Sequence, residues 1–521
     1  MKNKKIEMLV IAIALILQTV IFVIVGMNKS YIHMDEAYSL GLASYNKVEI
    51  QDNEDFYNTW HNKEYYEDYL AVNDDEKGEY AQVYENQKND VHPPFYYLLL
   101  RFAMGFSIDH FSVWSGIILN IVIYVFITIF MYLIIQKLIC GKPRAKEKAI
   151  ILAFTSSVIM SSLNNVIYIR MYALSTLNIL ITTFLHMKLL DKEKTSIKLL
   201  SAIGVSALIG SLTHYYYLFY LVMLAIMFVI KYIRKKEYKN LISYVVTMLL
   251  AGGASLAIFP YSIQHMFFGY RGQGFISKLL DIPEFLKNIG SYILKIQLFT
   301  FNNLLIVILF VILILFIFKL IKKQKIEKNK YLPYIFLPVL FYFVLVSIAS
   351  PWVELRYIMP ICSLVFILII YVLYKLLNIA LDEKKSSILI GITLCLILIA
   401  PFVFKIEPEV LYSDKKEIFQ KLENELNVPT IFMFESNHNR FLDDILLFAK
   451  INESYIAKDF NGNEENIKEL LQGKDISNGI VLFINEGQDN DKLIEIVKNA
   501  TNLTNCTYEK RLNACDVYYI N

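Results

Sequence analysis

MKNKKIEMLVIAIALILQTVIFVIVGMNKSYIHMDEAYSL, residues 1–40, decides the class of fold. A lysine-rich start leads into an apolar run from Met8 to Val25, which as a helix is close to the length that crosses a bilayer. The start has the basic flank of a signal peptide. Its apolar run is too long for the usual hydrophobic region, however, and no small-x-small cleavage site follows, so it reads as a retained first span. Beyond it the chain at once places His33, Asp35 and Glu36 together. Adjacent carboxylates at a bilayer surface repel each other unless something uses them.

The rest of the chain repeats the first theme. Of 521 residues 56% are hydrophobic and 19% charged, and the mean hydropathy is +0.44. These values define a polytopic α-helical membrane protein. A net charge of +3 and a pI near 8.2 leave no basic field of the kind that binds nucleic acid. Eleven spans are predicted, near 8–27, 112–138, 149–164, 172–190, 198–213, 217–233, 241–260, 303–320, 332–350, 357–377 and 388–404. MKNKK, CGKPRAKEK, DKEKTSIK, KYIRKKEYKN, KLIKKQKIEKNK and LDEKKSS fall on one side of them, which the positive-inside rule makes cytoplasmic. The N-terminus is then cytoplasmic and the C-terminal tail extracytoplasmic, in a multi-pass protein of the cell membrane.

The sequence divides into a membrane domain, 1–404, and an extracytoplasmic α/β accessory domain, 405–521. Within the first, residues 28–111 form a large external loop carrying 15 Asp and Glu against 5 Lys between Asn28 and Val91. Its end, HPPFYYLLLRFAMGF, is too short to span and predicts a helix from Pro94 to Phe106 lying along the membrane surface. A second external loop, 261–296, carries HMFFGYRGQGF around Arg271. In the tail, TIFMF, SYIAKDF, GIVLFIN and CDVYYI read as strands with helical segments between them. The last two strands suggest a hairpin around Arg511, and Cys506 and Cys515 are the candidate disulfide pair.

Ionisable residues collect at the external ends of the spans: Asp35 and Glu36 after the first, His92 before the surface helix, Arg170 and Tyr172 in NNVIYIRMYAL, His214 in THYYY, and Arg356 and Tyr357 in VELRYIMP. Such residues cost a few kcal/mol each if immersed, so they usually face a cavity or a partner. Singly each has a plain reading: an interfacial acidic pair, arginines reaching for headgroups, a hydrogen-bonded core histidine, a helix cap.

In combination, DE after the first span, HPPFYYLLL, RMYAL, THYYYLFYL and RYIMP resemble the GT-C superfamily of membrane glycosyltransferases. The resemblance is to the glycosyltransferase family 39-like branch, which includes protein O-mannosyltransferases and the lipid A aminoarabinose transferase, and it covers about residues 30–400. It implies transfer of a sugar from a polyprenyl-phosphate donor to a glycan, lipid or protein acceptor on the external face. It also implies a catalytic role for Asp35 with Glu36 beside it, and donor-phosphate contacts from His92 and Arg356. His33, Arg170, Tyr172, His214 and Tyr357 fall at its substrate pocket. Relatives often carry an acid two positions before the arginine of RMYAL, where this chain has Tyr168. No cofactor is certain; a divalent metal stays open, with Asp35 its ligand if one binds.

The chemistry asks for the same groups. A carboxylate must take the acceptor hydroxyl's proton, and cations must receive the charge of the departing phosphate. Asp35 supplies the first, and His92, Arg356 and Arg271 the second. Two other classes compete. A flippase of lipid-linked sugars wants broken helices at mid-membrane, of which Gly252-Gly253 is a hint. A non-catalytic envelope-assembly protein would use the acidic loop and tail for binding.

Overall fold

The computed structural model describes residues 2–44, 50, 53–193, 195–268, 281–325, 327–417, 420, 428–435, 441–460 and 462–521. It is predominantly helical, with a small sheet, and its contacts group the chain into two compact units. One comprises 1–27, 87–96 and 117–409; the other comprises 28–86, 97–116 and 410–521. The first external loop and the C-terminal tail thus share a unit, where the sequence division had set the loop with the membrane domain.

In the membrane unit all eleven apolar runs form helix. Among the described residues seven helices are long and apolar enough to cross a bilayer, and up to nine spans result if each bent pair counts as one. The other two expected spans are helices of 15 and 17 residues, Ile197–Ser211 and Pro333–Ala349. One bent pair, Ala145–Val158 with Met160–Ile167, turns by 59° where Ile159 takes an extended backbone. The other, Ile282–Thr300 with Leu305–Ile321, turns by 99°. Its corner holds Asn302 and Asn303 at positive φ, a conformation asparagine tolerates better than most residues. Helix therefore occupies 282–296, where the sequence reading saw only loop.

Ion pairs tie the lysine-rich loops to one another. Lys146 meets Glu7, Lys148 meets Glu383, Lys330 meets Asp191 at 2.7 Å, and Glu327 lies 3.0 Å from Lys142 and 2.9 Å from Lys375. Loops assigned to a common side by their lysines thus meet at a common end of the helices.

The second unit is built on a six-stranded sheet: β1 (Trp60–Asn62), β2 (Thr430–Phe434), β3 (Glu453–Lys458), β4 (Ile480–Asn485), β5 (Cys506–Leu512) and β6 (Cys515–Ile520), in the order β1-β3-β2-β4-β6-β5. The central pairs β3/β2 and β2/β4 are parallel. Their middle strands read TIFMF and IVLFIN and are buried throughout, as strands covered on both faces must be. Ile431, Leu482 and Ile484 pack with Ile467 and Val497 of the helices Glu464–Leu470 and Asn490–Thr501. Aromatic rings from the external loop meet others from the tail: Tyr57 on Phe434, Phe56 on Phe441 and Tyr66 on Phe448, with centroids 4.9–5.7 Å apart. The loop also donates β1, antiparallel to β3 with Trp60 opposite Tyr455. The tail's sheet is completed by a segment some four hundred residues upstream.

The expected terminal hairpin forms, but its turn is Asn513-Ala514 rather than Arg511. Cys506 pairs in register with Ile520 and Cys515 with Leu512, so the two cysteines stand at opposite ends of the hairpin and do not form a disulfide with each other. The disulfide expectation fails because the register, not the sequence spacing, sets which residues face each other.

The surface helix is Phe95–Met104, with Phe102 and the following Phe106 exposed. Its Arg101 turns the other way. The guanidinium is buried and donates to the carbonyls of Ala43 (3.0 Å), Ser44 (2.6 Å) and Glu76.

Candidate functional site

Asp35 lies on a short helix, α2 (Met34–Ser44), in the loop–tail unit. The first amides of a helix have no partner inside it, and here each is supplied from outside. Met34 N donates to Asp443 Oδ1 at 3.0 Å, Asp35 N to His33 Nδ1 at 3.0 Å, and Glu36 N to His33 O at 2.8 Å. Glu36 reaches back to the amide of His33 at 2.9 Å in capping-box fashion. Its carboxylate also meets Lys29 Nζ at 2.9 Å, with the two side chains 0% and 1% exposed. Glu36 is thus committed to holding the helix start. Asp35 keeps 16% of its side chain exposed, and His33 Nδ1 is 3.6 Å from its Oδ2. Arg101 meets the other end of α2, a favourable place for a cation.

Behind the helix start lies a buried network. Tyr31 OH donates to Asp444, Asn513 Nδ2 lies 2.6 Å from both Tyr31 OH and Asp444 Oδ1, and Lys415 donates to Asn513. Lys415 also sits over the rings of Tyr31 and Tyr412, 4.9 and 4.7 Å from their centroids. Burial lifts the Asp444 carboxyl to about 7, with neighbouring Asp443 pushing the same way; Tyr31, Asn513 and Lys415 pull back without matching them. A carboxyl raised this far binds its proton in the folded state between about pH 4 and 7 while the unfolded chain has lost it, so stability falls as pH rises through that window. Asp444→Asn mimics the protonated form. The variant should match wild type in thermal melts near pH 3 and exceed it at pH 8, by about 4 kcal/mol. Equal pH dependence of the two proteins would refute the assignment.

The membrane unit gathers the remaining candidates. His92 Nδ1 is 2.8 Å from Asp90 Oδ2. Burial would raise the Asp90 carboxyl, but the charges of His92 and Arg170 outweigh it and hold the group below its usual range. The rings of His92 and His214 lie 6.3 Å apart, and Tyr172 stands 5.4 Å from His214 and 6.4 Å from Tyr357. Arg356 lies with its Cζ 5.2 Å from the Tyr357 ring centroid and donates to Tyr168 OH at 3.0 Å. Tyr168 stacks in parallel on Tyr172. The extended residue Ile159 and the tight turn at 168–170, where Arg170 N reaches Tyr168 O at 2.7 Å, bring this stretch under the start of Leu355–Ala380. Phe95 N donates to Leu212 O, tying the His92 segment to the His214 segment.

The structure therefore brings His92, Arg170, Tyr172, His214, Arg356 and Tyr357 into a single cationic, aromatic-lined cluster, and sets His33, Asp35 and Glu36 in the other unit. Arg271 lies outside the described residues. Several participants escaped the sequence reading, among them Asp90, counted there with the acids of the external loop, and Lys29, Asp443 and Asp444. Asp90 had a local signal, an acid two residues before the histidine of HPP. Where the resemblance led to an acid, Tyr168 offers Arg356 a neutral hydroxyl. Among the described residues no three His, Cys, Asp or Glu side chains converge as a metal site.

No family model matches the sequence, and no curated protein matches it. Solved structures do share its architecture. The crystal structure of ArnT from Cupriavidus metallidurans bound to undecaprenyl phosphate superposes with a TM-score of 0.52, covering 98% of this chain and 97% of that one at 8% identity. The apo state of ArnT gives a TM-score of 0.43 over 85% and 93% of the two chains, also at 8% identity. At that identity the likeness is one of fold.

Proposed function

We propose that this chain is an integral membrane glycosyltransferase that moves a sugar from a polyprenyl-phosphate donor to an acceptor on the extracytoplasmic face. The observation that carries the reading is the clustering of His92, Arg170, His214 and Arg356 among tyrosine rings. An assembly of cations in an otherwise apolar unit suits a lipid-linked phosphate. The ArnT-like fold, seen in that protein with undecaprenyl phosphate bound, supports the same ligand class.

In this reading the acceptor hydroxyl oxygen attacks the anomeric carbon and gives its proton to the Asp35 carboxylate. The bond from that carbon to the phosphate oxygen breaks on the opposite side, so the configuration inverts and polyprenyl phosphate departs. His92 and Arg356 receive the charge that develops on it. Glu36 acts through the helix rather than on substrate. The phosphodiester supplies the driving energy, so no nucleotide is needed outside the cell. The N-terminus is cytoplasmic and the loop–tail unit extracytoplasmic, on the distribution of lysine in the loops.

The test uses full-length protein in lipid with a panel of polyprenyl-phosphate sugars and membrane extract as the acceptor source. Release of free polyprenyl phosphate coupled to a new glycosylated product is the expected result, and a chelator arm reads any metal dependence. Movement of labelled lipid across the bilayer without transfer would replace this reading with a flippase. No release by folded protein with any donor would sink it.

A further inference from the structure

The C-terminal tail has no glycine-rich phosphate loop and no motif of its own, yet it makes specific contacts with the residues around Asp35. The segment 29–36 is gripped along its length. Lys29 Nζ donates to Val410 O at 2.9 Å, Ser30 N to Leu411 O at 3.2 Å, Tyr31 OH to Asp444, and Met34 N to Asp443 Oδ1 at 3.0 Å. Asn513, in the turn of the terminal hairpin, closes the set by bonding Tyr31 OH, Asp444 Oδ1 and, at 3.3 Å, Asp443 O.

These contacts matter because α2 has only 11 residues, a length at which an isolated helix is marginal in water. Its start depends on caps. Two of the first three amides are satisfied by His33, three residues or fewer away; the first, that of Met34, is satisfied by Asp443, from more than four hundred residues downstream. Asp35 is the next residue. If the first turn frays, Asp35 moves with it, while the buried stretch Leu40–Ser44 stays docked. A carboxylate that must meet a hydroxyl within hydrogen-bond reach tolerates little of that motion.

We propose that Asp443 is a positioning residue, through which the C-terminal tail fixes the Asp35 carboxylate by capping the helix that carries it. The inference rests on the reading of Asp35 as the base. It turns the tail from an accessory module into part of the machinery. The neighbouring Tyr31–Asp444–Asn513 network locks the chain just ahead of the cap, and the two act as a unit.

The experiment compares wild type, Asp443→Ala, Asp443→Asn, Tyr31→Phe and Asp35→Asn as full-length protein in lipid, by amide hydrogen exchange over residues 33–37 and by steady-state transfer. In Asp443→Ala exchange over this segment should quicken roughly tenfold. Its kcat should fall roughly ten- to a hundredfold with the donor KM unchanged, the mark of lost alignment rather than lost binding. Asp443→Asn, whose amide oxygen still accepts from Met34, should restore both. A merely structural role would lower the melting temperature of Asp443→Ala and leave kcat per folded molecule alone. Unchanged exchange, or a normal kcat while Asp35→Asn is inactive, would overturn the proposal and leave the base assignment standing. If Asp35→Asn is fully active, the base assignment falls, and the clamp's catalytic meaning falls with it. Should Asp443→Ala not fold, Tyr31→Phe, which removes one hydroxyl and keeps its ring, carries the test by the same criteria.

Discussion

Asp35→Asn should leave the protein folded and lower transfer by about 10²- to 10⁴-fold, the usual contribution of a positioned general base. The change is isosteric and removes only the ability to take a proton. The fold should survive because Asp35 is not the cap of its own helix: Asp443, His33 and Glu36 satisfy the first amides. What is lost besides the base is a negative charge near a helix N-terminus, worth about 0.3–1 kcal/mol. Donor KM should hold, since the phosphate contacts assigned to His92 and Arg356 are untouched. Release of polyprenyl phosphate by wild type and variant, normalised to folded protein by a thermal melt, decides the matter. Equal rates would remove Asp35 from the chemistry. A melt collapsed in step with the rate would instead make it structural.

How much of this could be read in advance depended on whether the signal was local. A run of apolar residues is local, so each of the eleven stretches became helix at the expected place. Hydropathy measures transfer into lipid and says less about geometry, which is why the breaks at Ile159 and at Asn302-Asn303 were not anticipated. Amphipathic Ile282–Lys295 escaped for a related reason: a helix with one wet face has too low a mean hydropathy to register as a span. The gathering of Arg170, His214 and Arg356 was legible because each sits at the same end of its span, so the folding of the helices alone would collect them, and His92 joins them from the start of the surface helix. Strand pairing carries no such mark. WHN at 60–62 has neither length nor alternation, and only its partner Glu453–Lys458 makes it a strand. Asp443 and Asp444 were invisible for the same reason, since nothing in NRFLDDILL says that its acids will cap a helix at residue 34.

Lys29→Met should destabilise the loop–tail unit by about 3–5 kcal/mol, the range for removing one member of a fully buried ion pair. The Lys29–Glu36 pair is 2.9 Å long and almost wholly enclosed. Burial pulls the Lys29 ammonium below its usual range, and Glu36 only partly restores it. Each charge offsets the other's burial, and removing Lys29 takes the ammonium away from a carboxylate at 0% exposure that keeps the His33 amide. Glu36→Gln strands the ammonium instead, but an amine can shed its proton. Lacking Glu36, Lys29 has its pKa pushed lower still, so the folded variant binds fewer protons than the unfolded chain below pH 10.5. Its stability must then rise with pH, whereas that of Lys29→Met must not rise by this route. Replacing both residues by Met and Leu should recover most of the loss, as well-packed apolar replacements of buried pairs often do. Thermal melts of the four proteins at pH 6 and pH 9 distinguish this account from a catalytic Glu36. If Glu36 works on substrate, the double variant will be stable and inactive; if it holds the helix start, the double variant will regain transfer along with its stability. A Lys29→Met protein as stable as wild type would refute the buried pair itself.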